Sequence, residues 1–415
     1  MWVKYLSSMK QEELFTLALG LQAPWFVDRV EFINAGEREV LHLYVDYKRG
    51  IELAGLDGGK YKAYDHRERT WRHLNFFQHE CYLHANVPRV KQADGTIQQV
   101  HVPWAAEGSS FTLLFEGYAL ALCKYGLSLS ATGAMLGVDG RVIGRIIRRY
   151  VTEALHAQPL AQVKVMGIDE TSSRKGHNYL TILTDMDRKK VVGIGEGKDE
   201  EAFLQAIEQA TLRGVSAQHV ETVVMDLSPS YRAAAREHLP HADIVFDRFH
   251  LEQMISKAVD EVRKQEAQHT VELKKTKYLW LRNESSLTAK QRLEVKFLCY
   301  TYPTLGKAYR FKEWFKQIAN NNEPVEATAL LKEWIKLANR SKIEPIKKVA
   351  KSFKAHWTGI LHYFNTRITS AFVERVNLKI QEIKRLAKGY RNIKNFITMI
   401  YFHLGNLDLP THIKR

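Results

Sequence analysis

Three acidic residues stand at places where a carboxylate can be held firmly: Asp169 closes the apolar run VKVMGID, Asp226 closes ETVVMD, and Glu374 lies early in the helical pattern ITSAFVERVNLKIQEIKRLAKGY. Carboxylates are hard oxygen donors. A site that transfers phosphoryl groups with two Mg²⁺ ions needs several of them from separate elements, because each ion takes oxygens at about 2.1 Å and the ions sit about 3.5 to 4 Å apart. Taken singly, an Asp after a strand is more often a turn former, and a Glu on a helix more often part of a solvated face. Their joint placement carries the argument: Asp226 follows Asp169 by 57 positions and Glu374 follows Asp226 by 148. Glu170 competes with Asp169, but neighbours on a strand point to opposite faces, and Asp169 is preferred.

The elements that must position these acids follow from hydropathy patterning. Between residues 163 and 250 the runs VKVMGID, NYLTILTD and KKVVGIGEG read as strands, EEAFLQAIEQATL as an amphipathic helix, ETVVMD as a strand, PSYRAAAREHL as a helix opening near Pro229, and ADIVFD as a last strand. Three strands, then helix, strand, helix, strand is the order of an RNase H-like core, a mixed sheet with helices on both faces. In that order the strands ending in Asp169 and Asp226 are neighbours. From Leu251 to about Phe364 strand signals vanish, and Lys-rich helical segments with Trp280, Trp314, Trp334 and Trp357 predict an all-helical insertion, its tryptophans read as core. Upstream, a helix over 9–21 and alternating runs such as LHLYVDYKRG predict a small sheet, and FTLLFEGYALALCK, SLSATGAMLG and RVIGRIIRRYV, with a turn at Gly137 to Gly140, predict a helix-turn-helix. The expected fold is α/β: an RNase H-like mixed sheet with a large helical insertion, preceded by a small β-containing domain and a helix-turn-helix. The expected boundaries are 1–105, 106–158, 159–250, 251–365 and 366–415.

The balance of 61 Lys plus Arg against 46 Asp plus Glu leaves a net charge of +15, which favours a polyanionic partner. In RVIGRIIRRY, Arg141, Arg145, Arg148 and Arg149 recur at helical intervals beside Val142, Ile143, Ile146 and Ile147, a pattern suited to a helix entering the major groove. Lys347, Lys348, Lys351 and Lys354 form a second basic run, read as phosphate contacts without base specificity, and Arg174 and Lys175 follow Asp169 where they would neutralise a nearby polyanion. Against each of the two helical runs stands the plain alternative of a solvated helix face. Cys81, Cys123 and Cys299 are too few and too far apart for a disulfide framework or a paired-cysteine knuckle, so a reducing compartment is expected. MWVKYLSSMKQEELF has no apolar signal core, and the most apolar stretch, Phe111 to Leu129, is broken by Glu116 and Lys124, so neither export nor a membrane span is expected.

The strings GIDETSSRKGHNYLTILTD, VVMDLSPSY, DRFHLEQM and VERVNLKIQEIKRLAKGYRN, with TWRHLNFFQHECYLHANVPRV and VPWA upstream, resemble those of the ISL-three group of bacterial insertion-sequence transposases. The resemblance implies an acidic triad at Asp169, Asp226 and Glu374, with Asn377 and the run Gly389 to Asn392 matching the flanking pattern. It implies two Mg²⁺ or Mn²⁺ ions and binding to the terminal inverted repeats and the target DNA. Cutting and joining would proceed by metal-assisted transesterification, in the bacterial cytoplasm, at the nucleoid when bound to DNA. A homodimer or higher homo-oligomer is expected. DRFH resembles an Asp-x-x-His element of several transposase superfamilies, which would bring His250 to the scissile phosphate or to an Asp; the alternative is that Asp247 and His250 only cap the next helix. Family members usually carry zinc-ribbon cysteine pairs in the N-terminal domain, but here those neighbourhoods read IELAGLDGGKY and RVKQADGTIQQV, and zinc is not expected. Two other readings stay open: an RNase H-like nuclease without strand transfer, and a domesticated DNA-binding regulator without catalysis.

Overall fold

The computed structural model describes residues 9–36, 38–55, 57–160, 162–174 and 176–410. The chain divides into two compact units, Met1–Thr152 with Asp408–Arg415, and Glu153–Leu407.

The first unit begins with α1 (Gln11–Ala18), β1 (Trp25–Ala35) and β2 (Arg38–Tyr47), followed by the short pair β3 (Leu53–Ala54) and β4 (Lys60–Tyr61). Then come β5 (Ala63–Phe76), β6 (His79–Lys91) and β7 (Ile97–Gln99). The main sheet runs β1-β2-β6-β5 with β7 beside β6, and β2 and β6 are parallel while the other pairs are antiparallel. Alternation decides which side is buried: Leu41, Leu43 and Val45 of β2 and Cys81, Leu83 and Ala85 of β6 face inward, where Trp104 packs edge-on to Trp25 and Trp71. The strands are longer than the sequence runs suggested, because His, Arg and Glu at the outward positions hide the period-two pattern.

Three helices complete the unit: α2 (Leu113–Lys124), α3 (Leu129–Leu136) and α4 (Gly140–Ala157), as expected of a helix-turn-helix. Thr112 and Ser128 cap the first two by accepting the backbone N–H of Phe115 and Ala131. Gly137 ends α3 in left-handed backbone, φ 71°, a conformation that costs glycine little. On α4, Ile143, Ile146 and Ile147 are buried, while Arg141, Arg145 and Arg148 are exposed.

The second unit contains β8 (Val165–Arg174), β9 (Asn178–Asp185), β10 (Lys190–Glu196), α5 (Glu200–Leu212), β11 (Thr222–Met225), α6 (Pro229–His238) and β12 (Asp243–Phe246). The order is β10-β9-β8-β11-β12, antiparallel from β10 to β8 and parallel from β8 to β12. The helical run follows as α7 (Arg248–Glu266), α8 (Lys277–Leu281), α9 (Ala289–Thr301), α10 (Pro303–Asn320), α11 (Pro324–Arg340), α12 (Glu344–Ala355) and α13 (Trp357–Thr366); α14 (Ala371–Leu386) and α15 (Ile393–Leu404) close it. The sheet and the helical run pack together. One continuous apolar core joins Val163, Ile168 and Val224 of the sheet region to Leu251, Trp334 and Phe364 of the helices, since α7 and α13 both lie against it. Trp280 and Trp334 are fully buried and donate their indole N–H to Thr276 Oγ1 and Phe311 O, so they are core residues. Among the described residues no helix is long and apolar enough to cross a membrane.

Candidate active site

Three aspartates lie just past the paired parts of the parallel strands. β11 pairs with β8 as Thr222 with Val165, Val223 with Met166 and Val224 with Gly167; the pairing ends there, two residues before Asp226 and Asp169, and the two carboxylates are close enough for Asp226 to raise Asp169. Met225 pairs with Phe246, which sets Asp247 beside Asp226. The strand order β8-β11-β12 therefore gathers three carboxylate-bearing positions, Asp169, Asp226 and Asp247, where the parallel pairing ends.

α14 runs along β8 and presents a stripe of polar residues at alternating steps of three and four, Glu374, Asn377, Gln381 and Lys384, with Ser370 just before the helix begins. Beyond Gly167, β8 has left β11, and its carbonyls at Glu170 and Ser172 are met by side chains of this stripe. Asn377 donates to Glu170 O at 3.3 Å, while Gln381 and Lys384 donate to Ser172 O at 3.2 and 2.8 Å. Asn377 also donates to Asp169 Oδ2 at 2.7 Å, and Gln381 to Thr171 Oγ1 at 2.9 Å. Gly167 makes the approach possible, since a Cβ there would stand 2.7 Å from Val373 Cγ2.

A second set of bonds ties Glu374 to the far strand. Ser370 donates to Glu374 Oε1 at 3.0 Å and also serves Asp247, although a hydroxyl has one proton for the two carboxylates. Asp247 is 2% exposed, accepts from the backbone N–H of Phe249, and lies 2.8 Å from His250 Nδ1. Burial alone would raise the Asp247 carboxyl, but bonds from His250, Ser370 and Phe249 bring it below the usual range. The same contact raises His250, whose ring also feels Asp226 and Asp169. Asp247 does cap α7 as one reading had it, yet its histidine faces the acids.

Asp169 is pushed up to about 6, mainly by burial, with Asp226 adding to the shift and the Glu170 amide and His250 opposing it. Glu170 is raised too, again by burial first. The carboxyl of Asp169 titrates near 3.8 when free, so the folded protein without metal binds its proton more tightly than the unfolded chain does. Stability therefore rises as pH falls from about 6 to about 4, and above that window the buried charge costs about 2 to 3 kcal/mol. Asp169→Asn at pH 7.5 in the presence of a chelator is expected to gain about that much in urea unfolding and to lose the pH dependence. A variant less stable than wild type under those conditions refutes this.

The structure brings Asp169, Asp226 and His250 into one electrostatic neighbourhood, while Glu374 is exposed on α14 and is linked to it only through the Ser370 hydroxyl and the helix that carries Asn377. The acids are not drawn into a single tight cluster. Among the described residues the one group of three side chains with ligand atoms all within 4.8 Å is Glu200, Glu237 and His238.

The basic residues divide. Arg141, Arg145 and Arg148 are exposed on α4, the first of them paired with Asp139. Arg149, by contrast, is only partly exposed and places Nη2 2.5 Å from the buried Glu116 Oε2, an ion pair within the unit. Arg174 donates to Tyr390 O at 3.2 Å and to Arg391 O, so its guanidinium holds the loop after α14. Lys175 lies outside the described residues. Lys347 pairs with Glu344 at 2.7 Å, Lys348 with Glu261 at 3.7 Å, and Lys351 and Lys354 are exposed.

Sequence reading gave Asn377 no role and overlooked Ser370, Gln381 and Lys384. It also missed a groove of about 920 Å³ whose walls include Arg174, Lys384, Arg385 and Lys388. The spacing 374, 377, 381, 384 was a readable signal for a polar helix face, but nothing in the sequence says that this face meets a bare strand edge.

Comparison with known proteins fixes the class. A family model described as a transposase matches residues 166–400. Models for the helix-turn-helix domain of transposase family ISL3 and for the zinc-finger of transposase IS204/IS1001/IS1096/IS1165 match 100–151 and 57–91. The chain is similar to the transposase for insertion sequence element IS1557 of Mycobacterium tuberculosis, 24% identical over 431 residues, covering 96% of both chains. It is also similar to the transposase for IS1001 of Bordetella parapertussis, 28% identical over 395 residues, covering 92% of this chain and 96% of the relative. The chain belongs to the ISL3 family of insertion-sequence transposases. The zinc-finger match withdraws support from the expectation that zinc is absent. That expectation rested on missing cysteine pairs, and although Cys81 is the one cysteine of the matched segment, with burial pushing its thiol up to about 12, the segment is still that of the family's zinc-finger.

Proposed function

We propose that the second unit is an RNase H-like catalytic domain that cuts and joins DNA at the ends of its own element, with Asp169, Asp226 and Glu374 as ligands of two Mg²⁺ or Mn²⁺ ions. The observation that carries this reading is the strand-end row Asp169–Asp226 with Glu374 on a helix bonded to the same strand. The residues fit hard cations: the donors are oxygens, Asp169 is a half-buried carboxylate disfavoured in its charged form by desolvation, and Asn377 Oδ1 beside it is buried with no partner. When bound, such ions lower the pKa of an attacking water or 3′-hydroxyl and stabilise the leaving oxygen. The chain's own part is to hold its carboxylates at fixed strand and helix ends. It also offers His250, kept protonated to higher pH by Asp247, to the scissile phosphate. The test is a reaction with DNA carrying one terminal inverted repeat: Mg²⁺-dependent nicking followed by joining to a second duplex supports the reading. Nicking without joining would leave a nuclease, and neither would leave a DNA-binding regulator.

The helix-turn-helix, on this reading, recognises the repeat, with Arg145 and Arg148 of α4 reaching base edges and Lys351 and Lys354 of α12 holding phosphates. Two ends must meet for joining, which favours a homodimer or larger homo-oligomer as the acting form. An Arg forked onto guanine contributes roughly 1 to 3 kcal/mol of discrimination, whereas loss of a phosphate contact weakens every sequence alike and lowers the salt slope by about one. Arg145→Ala and Arg148→Ala should narrow the affinity gap between repeat-end and random DNA, while Lys351→Ala should lower both affinities together. Binding to both DNAs over a salt series decides it, and an unchanged specificity ratio in the arginine variants counts against the assignment.

A further inference from the structure

Asn377 makes more of its position than packing requires. Its Nδ2 donates to Asp169 Oδ2 and to the Glu170 carbonyl, while its Oδ1 is buried and has no hydrogen-bond partner. The amide cannot be turned over to relieve this, because exchanging oxygen for nitrogen would set an acceptor against a carboxylate oxygen and a carbonyl at once. The free oxygen is therefore fixed in direction. It also lies one turn from Glu374 on the same face of α14, and a buried polar atom left unpaired in a folded protein calls for a ligand or an ordered water.

We propose that Asn377 is a positioning residue and an additional oxygen donor of the metal site: Nδ2 locks the orientation of Asp169, and Oδ1 receives a divalent cation or one of its hydration waters. This rests on the two-metal reading above. The residue type follows from charge. Asp169 and Glu170 already feel the charge of Asp226, and a carboxylate at 377 would face Asp169 directly, whereas an amide donates to Asp169 through one atom and offers an uncharged oxygen through the other. Asp at this position would lose the donor, and Leu would lose both functions.

The full-length chain is titrated with Mn²⁺ by calorimetry, and its melting temperature is measured with chelator and with saturating Mn²⁺. Asn377→Ala is expected to weaken Mn²⁺ binding about 10- to 100-fold, the usual cost of removing a residue that orients a ligand, and so to lower the Mn²⁺ melt more than the chelator melt, which falls only by the loss of its bonds to β8. Asn377→Asp should bind Mn²⁺ at least as tightly as wild type but melt lower in chelator, so the rise produced by Mn²⁺ becomes larger. A purely structural asparagine would instead lower both melts equally in both variants, and that pattern overturns the proposal. So does wild-type Mn²⁺ affinity in Asn377→Ala. Asp169→Asn serves as the reference for the site as a whole: if it binds Mn²⁺ as wild type does, the two-metal reading fails and this inference with it. Loss of binding in Asp169→Asn alongside unchanged binding in Asn377→Ala removes the inference alone.

Discussion

Asp226→Asn is expected to leave a folded protein that binds repeat-end DNA as well as wild type and no longer cuts it. Asp226 Oδ1 accepts the Ser228 N–H at 2.9 Å, and an asparagine keeps an oxygen for that bond and nearly the same shape, so β11 and the turn into α6 persist. What is lost is the negative charge in the middle of the row between Asp169 and Asp247. A neutral amide is a poor ligand for a hard dication, and losing several kcal/mol of charge stabilisation corresponds to a fall in cleavage rate of about a thousandfold or more. Single-turnover nicking of a labelled repeat end measures the rate, and a gel shift without metal checks binding. Nicking within tenfold of wild type in Mg²⁺ would remove Asp226 from the mechanism.

Glu116→Ala should cost the first unit about 3 to 5 kcal/mol, the range for removing one partner of a buried ion pair. Glu116 is fully buried in α2, where Oε1 accepts from Ser109 Oγ at 2.7 Å and Oε2 accepts from Arg149 Nη2 at 2.5 Å and Tyr150 OH at 2.8 Å. Alanine would strip these donors of their acceptor and leave the Arg149 cation part-buried without its anion. Glu116→Gln keeps two polar atoms and should recover part of the loss, which separates hydrogen bonding from charge. Urea unfolding of the full-length variants, followed by a helix signal alongside repeat-end binding, gives both numbers. A loss under 1 kcal/mol for alanine would show that solvent reaches this cluster.

The sheet of the second unit was legible because each strand is a short apolar run closed by an acid or a glycine, and register then follows from strand order. The helix-turn-helix was equally plain in its three helical runs and its Gly137 turn. Arg149 was not, because an arginine beside exposed arginines on a helix looks like one of them until its partner 33 positions earlier is seen. The same holds for Arg174, whose acceptors lie more than 200 positions away. Side-chain bonds of that range leave no periodic trace. For the triad, the strands could be inferred but the position of Glu374 could not, since it depends on where α14 stops sliding along β8.

That stopping point is written into the neighbours of Glu374 themselves. Asn377, Gln381 and Lys384 each clasp a backbone or side-chain atom of β8, and they act within three turns of the acid they place. The long excursion from α7 to α13 therefore has no part in measuring the distance between Glu374 and Asp169. It is free, so far as the acids are concerned, to grow, shrink or acquire new surfaces, provided its packing on the sheet survives. Such a chain behaves like a hand tool whose jaw is set by its own screw: α14 and β8 fix the gap locally, and of the long handle only the ends, Asp247 and His250 at the start of α7 and Ser370 before α14, reach into it.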